Sequence, residues 1–81
     1  MDKKKKDLIN RLKTLQGHAA GIEAMIEKDS PCDEIMLQLR ALSSSLKRLQ
    51  YKVLTSYVDE CLEGDDGKER LLKMLDYIER N

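Results

Sequence analysis

The stretch SPCDEIMLQLRALSSSLKRLQYKVLTSYVDECL, Ser30 to Leu62, decides the fold, because it reads as one long helix with a cysteine near each end. Its apolar positions Ile35, Leu39, Leu42, Leu46, Leu49, Val53 and Val58 recur mostly at steps of three or four, the period of a helix with one buried face. Ser30 is placed to cap it and Pro31 suits its first turn. Asp33, three residues after Ser30, completes a capping-box-like start, and the acids there face the positive end of the helix dipole. The spacing predicts a helix over 31–62.

Cys32 and Cys61 are the chain's two cysteines, 29 residues apart. At a rise of about 1.5 Å per residue they are separated by roughly 43 Å along one straight helix. A disulfide needs Cα atoms within about 7 Å, so the two thiols react together only when a second copy runs antiparallel alongside. A two-fold axis near Leu46 and Lys47 would place Cys32 beside Cys61 of a second protomer, twice.

Working outward, residues 1–6, MDKKKK, read as a frayed basic arm, since a like-charged run repels itself and buries nothing. From Asp7, a candidate cap, Leu8, Leu12, Leu15, Ala19, Ile22 and Ile26 step by four and three and predict a first helix over 7–28. Gly17 and Gly21 each cost that helix about 1 kcal/mol against alanine, and point to the close approach of a neighbouring helix. Lys28-Asp29-Ser30-Pro31 ends it, because a residue before proline is biased away from helical angles, and so short a turn makes the first two helices antiparallel. Glu63-Gly64-Asp65-Asp66-Gly67 is a linker. Asp66 with Glu69 then repeats the capping-box pattern, and Leu71, Leu72, Leu75 and Ile78 predict a third helix over 67–80.

The fold class expected is therefore all-α: a three-helix protomer with a long central helix, one domain over residues 1–81. Hydrophobic content of 41% comes almost wholly from aliphatic residues, with no Phe or Trp, as in helical bundles. A chain of 81 residues builds only a small core of its own, so association would help it. There is no secretory segment and no apolar run long enough for a membrane, which makes a cytoplasmic location and free, redox-active or metal-binding cysteines the expectation. The net charge of zero conceals a basic half and an acidic half. Residues 1–52 hold eleven Lys/Arg against seven Asp/Glu, and residues 53–81 hold four against eight.

Cys32 lies in the first turn of its helix, where free amide N–H groups and the dipole favour the nucleophilic sulfur anion, although Asp33 and Glu34 oppose it. Cys61, in the last turn beside Asp59 and Glu60, suits a resolving thiol. A small buried hydrophobe is the plain alternative for either. A metal reading finds only two sulfurs, with the sole histidine, His18, on another helix. Tyr57, one turn before Cys61, stands where a histidine would complete a three-ligand site, and neutral tyrosine is a poor ligand for soft metals. Arg11 and Lys13 on the first helix with Lys47, Arg48 and Lys52 on the second form a candidate basic surface for phosphates, against the alternative of a solvated face. No phosphate-cradling glycine loop, Ser/His/Asp set or poised carboxylate pair is present, so no enzyme is expected.

The segment Arg11-Leu12-Lys13-Thr14-Leu15-Gln16-Gly17-His18-Ala19-Ala20-Gly21-Ile22, followed by Met25-Ile26 and Cys32, resembles the copper-sensitive operon repressor family (CsoR/RcnR-like), and the resemblance covers nearly the whole chain. It implies antiparallel pairing of the second helices and assembly into a dimer of dimers, a homotetramer. It also implies operator DNA as partner, with Arg11 and Arg48 matching positions the family uses for DNA. His18 stands where the family usually has glutamine, and Ala20 where many members have arginine.

Copper-sensing members of that family use a cysteine, a histidine and a cysteine; alignment on Cys32 and Cys61 puts Tyr57 at the histidine and Pro31 at a usual tyrosine. Two cysteines without the histidine resemble the persulfide-sensing branch, the sulfurtransferase-operon repressors (CstR). The function so implied is a repressor that senses low-molecular-weight persulfides or polysulfides through Cys32 and Cys61 of the partner protomer. It would derepress sulfide-detoxification genes, with Tyr57 and His18 flanking the thiols and no cofactor or resident metal. The alternative within the family is a repressor sensing Cu(I) or another metal. A helical interaction module that touches no nucleic acid is a third reading.

Overall fold

The computed structural model describes residues 2–61 and 63–80, and for Cys61 the backbone alone. Three helices follow in chain order: α1 (Lys3–Glu27), α2 (Cys32–Cys61) and α3 (Gly67–Glu79), with no strand among the described residues. Leu62, expected to close the second helix, lies outside the described residues.

Residues 3–6 are not a frayed arm; they form the first turn of α1. The cap is Asp2 rather than Asp7. Asp2 sits in extended backbone (φ −70°, ψ 161°) and its Oδ1 accepts from Lys5 N–H at 2.8 Å, satisfying one of the orphan donors of the helix start. The same carboxylate sets a negative charge among four lysines, which offsets the repulsion that had argued for fraying.

α1 ends in a left-handed cap. Ser30 N–H donates to Met25 C=O at 3.0 Å and Asp29 N–H to Ile26 C=O at 3.1 Å, with Asp29 at φ 57°. That paired pattern is the Schellman motif, whose left-handed position usually belongs to glycine. The stop therefore lies in Asp29 as well as in the proline after it. Replacing Asp29 by glycine removes the Cβ from a left-handed residue. It is expected to raise stability by about 0.5 kcal/mol, read as a higher thermal midpoint. A lower midpoint would show that the Asp29 side chain contributes more than its backbone costs.

α2 opens with Pro31 C=O accepting from Glu34 and Ile35 N–H, both at 3.1 Å. The chain clusters into two compact units, one ending at Leu49 and one beginning at Gln50. Within the first, Leu15 and Ile22 of α1 are buried, and Ile35, Leu42 and Leu49 of α2 are half-buried. These α2 positions recur every seven residues, a stripe that keeps one side of the helix against the core.

Of the other expected core positions of the first unit, Leu8 is half-buried, and Leu12, Ala19 and Ile26 on α1 with Leu39 and Leu46 on α2, at 42% and 43% exposed, face outward. The apolar face is wider than one partner helix covers. A Cβ built on Gly17 or Gly21 meets nothing within 4 Å, so the close approach expected there is not made among the described residues.

The second unit holds the end of α2, a turn with Gly64 at φ 85°, and α3. Asp66 precedes α3, but the expected capping box is not formed. Its side chain makes no cap bond and instead pairs with Arg70 at 2.9 Å, one turn along the helix. A guanidinium at i+4 offers the carboxylate a charge-assisted partner, which here replaces the amide. Ile78 is buried, with Leu71, Met74 and Leu75 half-buried; Leu72, expected in the stripe, is exposed because α3 buries the row 71, 74, 75, 78. Among the described residues no helix is long and apolar enough to cross a membrane.

Candidate nucleic-acid interface and thiol positions

Two cross-helix observations fix the register of the first unit. His18 Nε2 lies 2.9 Å from Gln38 Oε1, and Arg11, Thr14 and Leu15 line the same recess as Ser45, Arg48 and Leu49. Moving back along α1 from His18 to Arg11 moves forward along α2 from Gln38 to Arg48, so the two helices run antiparallel.

The recess has a volume of about 220 Å³ and is lined by one arginine from each helix. Arg11 is held by its neighbour one turn earlier, Nε donating to Asp7 Oδ2 at 2.9 Å. Arg48 is held from within its own helix, Nη2 donating to Ser45 Oγ at 2.9 Å. Thr14 Oγ1 donates to Asn10 C=O at 3.1 Å, which anchors its hydroxyl at the wall. Two arginines and two hydroxyl residues lining one recess, with Leu15 and Leu49, make a surface suited to a phosphate: guanidinium forks match its oxygens, and hydroxyls can add short polar contacts.

The structure thus brings Arg11 and Arg48 to one recess, which neither Lys13 nor Lys47 lines. Lys13 is exposed on α1 and Lys47 half-buried on α2, and neither lines the recess; Lys52 is exposed and belongs to the second unit. Thr14 and Ser45 were not singled out in the sequence. Their signal was present as spacing, since Ser45 precedes Arg48 by three residues and Thr14 follows Arg11 by three, one helical turn in each case.

Cys32 is the first residue of α2, exposed, with a free thiol, and it lies in the first unit. Cys61 is the last residue of the same helix, in the second unit, and its side chain lies outside the described residues. Tyr57, one turn before Cys61, is half-buried. His18 is half-buried and engaged with Gln38. Among the described residues no three of His, Cys, Asp and Glu gather in one place as a metal set.

The profile of the family described as metal-sensitive transcriptional repressors matches residues 4–80. A copper-sensing transcriptional repressor CsoR of Mycobacterium bovis (strain BCG / Pasteur 1173P2) is 41% identical over 80 residues, covering 93% of this chain and 66% of that protein. The chain therefore spans just under two thirds of the mycobacterial relative's length. The copper-sensing transcriptional repressor CsoR of Bacillus subtilis (strain 168) is 28% identical over 82 residues, covering 96% and 81%. Among solved structures, the nickel-responsive transcriptional regulator InrS superposes with a TM-score of 0.77 at 29% identity, over 90% of each chain.

Proposed function

From the premise that this chain belongs to the metal-sensitive transcriptional repressor family, a family of regulators and not of enzymes, we propose that it is a cytoplasmic DNA-binding repressor whose inducer is read by Cys32 together with Cys61 of a partner protomer. The observation that carries the DNA reading is the recess, where Arg11 and Arg48 converge from antiparallel helices beside two hydroxyls. Lys13 and Lys47 add positive charge on the same unit, and Lys52 is proposed as a further DNA contact from the second unit. The exposed Leu12, Ile26, Leu39 and Leu46 support assembly, because an apolar face of that extent calls for another helix surface. Antiparallel pairing about Leu46 and Lys47 gives the dimer, and two dimers give the tetramer.

The inducer we assign is a low-molecular-weight persulfide or polysulfide. Tyr57 supports it: the residue one turn before Cys61 offers a neutral phenol, a hard oxygen ligand ill-suited to a soft cation, while His18 already serves Gln38. The second reading is Cu(I). It is favoured by the relatives, which are named as copper-sensing, and their names support it more directly than they support a persulfide. Two thiolates, Cys32 and Cys61 of the partner protomer, are soft ligands that would hold Cu(I) between chains.

Release of the protein from a DNA fragment upstream of its own gene separates the two. Fluorescence anisotropy is expected to fall on addition of a persulfide donor and to stay high with Cu(I); the reverse result would establish the metal reading. Tyr57→His restores a third soft-metal donor, and is expected to convert the protein to one released by Cu(I).

A further inference from the structure

The geometry points to Asp7 as a built-in rival of operator phosphate for the Arg11 guanidinium, a residue that sets DNA affinity without touching DNA. This inference rests on the DNA reading of the recess.

The recess has two arginines, and they are held differently. Arg48 is held by Ser45 Oγ, a neutral partner that orients the guanidinium and leaves its charge for a ligand. Arg11 is held by the Asp7 carboxylate, Nε to Oδ2 at 2.9 Å, with the two side chains 52% and 47% exposed. Asp7 holds the Nε edge of the Arg11 guanidinium, so a phosphate taking that edge must displace the carboxylate, and one taking the Nη edge meets its negative charge close by. The pair lies within one helix at the i, i+4 spacing, so Asp7 stays within reach of Arg11 wherever the helix persists. Asp7 thereby disfavours weak, non-specific engagement of Arg11 and leaves it for a phosphate that is also held by Arg48, Ser45 and Thr14.

The test is a double-mutant cycle on the full chain, read as Kd for the upstream DNA across a salt series. Asp7→Asn keeps the shape, removes the charge, and is expected to tighten binding about fivefold at low salt, the sum of a lost surface ion pair and a relieved like-charge contact. The gain is expected to vanish in the Arg11→Ala background, because the two residues act on one guanidinium. Glu23→Gln, an exposed charge elsewhere on α1, serves as the control for net charge, and thermal midpoints confirm that each variant folds.

A gain that persists without Arg11, or that Glu23→Gln reproduces, would reduce the effect to long-range electrostatics and overturn the inference. So would an unchanged Kd for Asp7→Asn when Arg11→Ala still weakens binding, and in that case the DNA reading stands. If the unaltered protein fails to bind DNA at all, the DNA reading fails, and the inference with it.

Discussion

Replacing Cys32 by alanine is expected to leave DNA binding by the reduced protein intact while abolishing both the covalent dimer and the release that a persulfide donor causes. The expectation follows from placement. Cys32 is exposed at the first residue of a 30-residue helix, away from the Arg11–Arg48 recess as judged by register, since α2 carries it more than four turns before Arg48. Its sulfur is accessible to a small electrophile, and the amide N–H groups of the helix start lie beside it.

In the reaction proposed, the Cys32 thiolate attacks the outer sulfur of the donor. The donor's S–S bond breaks, its thiol leaves, and Cys32 retains one extra sulfur. The Cys61 thiolate of the partner protomer then attacks the Cys32 Sγ, forming a disulfide and expelling hydrosulfide; further donor equivalents give longer bridges. Cys61→Ala is accordingly expected to stop at the first step, leaving Cys32 one sulfur atom heavier by mass spectrometry and no dimer on a non-reducing gel. Twenty-nine residues of straight helix would span roughly 43 Å, so every crosslink is expected between chains. Tryptic mapping that joined Cys32 to Cys61 of the same chain would contradict the mechanism. Cu(I) sensing gives a different pattern: both variants lose the response together, and neither gains sulfur.

The helices were legible because their apolar residues step by three and four, and because proline, glycine and acidic turn residues punctuate them. What was not legible depended on competition between local partners or on register. Four lysines at the start of the chain argue for fraying, and the Asp2 carboxylate, bonded to Lys5 N–H, counters that. Asp66 satisfies a capping pattern with Glu69 and also an ion-pair pattern with Arg70; spacing alone does not rank the two, and the structure takes the second.

Arg11 and Arg48 could be named as charges, but their convergence required the antiparallel register that His18 and Gln38 establish across 20 residues. Leu39 and Leu46 satisfy the same helical period as Leu42 and Leu49, yet face outward. Periodicity marks an apolar face without saying whether it is covered by the same chain or by another.

Replacing both Arg11 and Arg48 by alanine is expected to cost DNA affinity on the order of a hundredfold at low salt, with little change in the stability of the protein. Each guanidinium that meets a phosphate releases condensed counterions, so log K falls against log salt with a slope of about 0.9 per contact. Loss of two contacts per DNA-facing protomer should flatten that slope by about 1.8 for each such protomer. Neither side chain is buried, and their partners within the chain are a surface carboxylate and a serine hydroxyl, so the thermal midpoint should move little. Lysine at both positions keeps the charge but loses the fork that matches two phosphate oxygens. Its salt slope should therefore resemble that of the unaltered protein while its affinity lies between the two. Lys68→Ala, an exposed charge on α3, provides the comparison for a cation outside the recess. A double-alanine variant that kept both affinity and slope would place the DNA surface on other residues and leave the recess without this role.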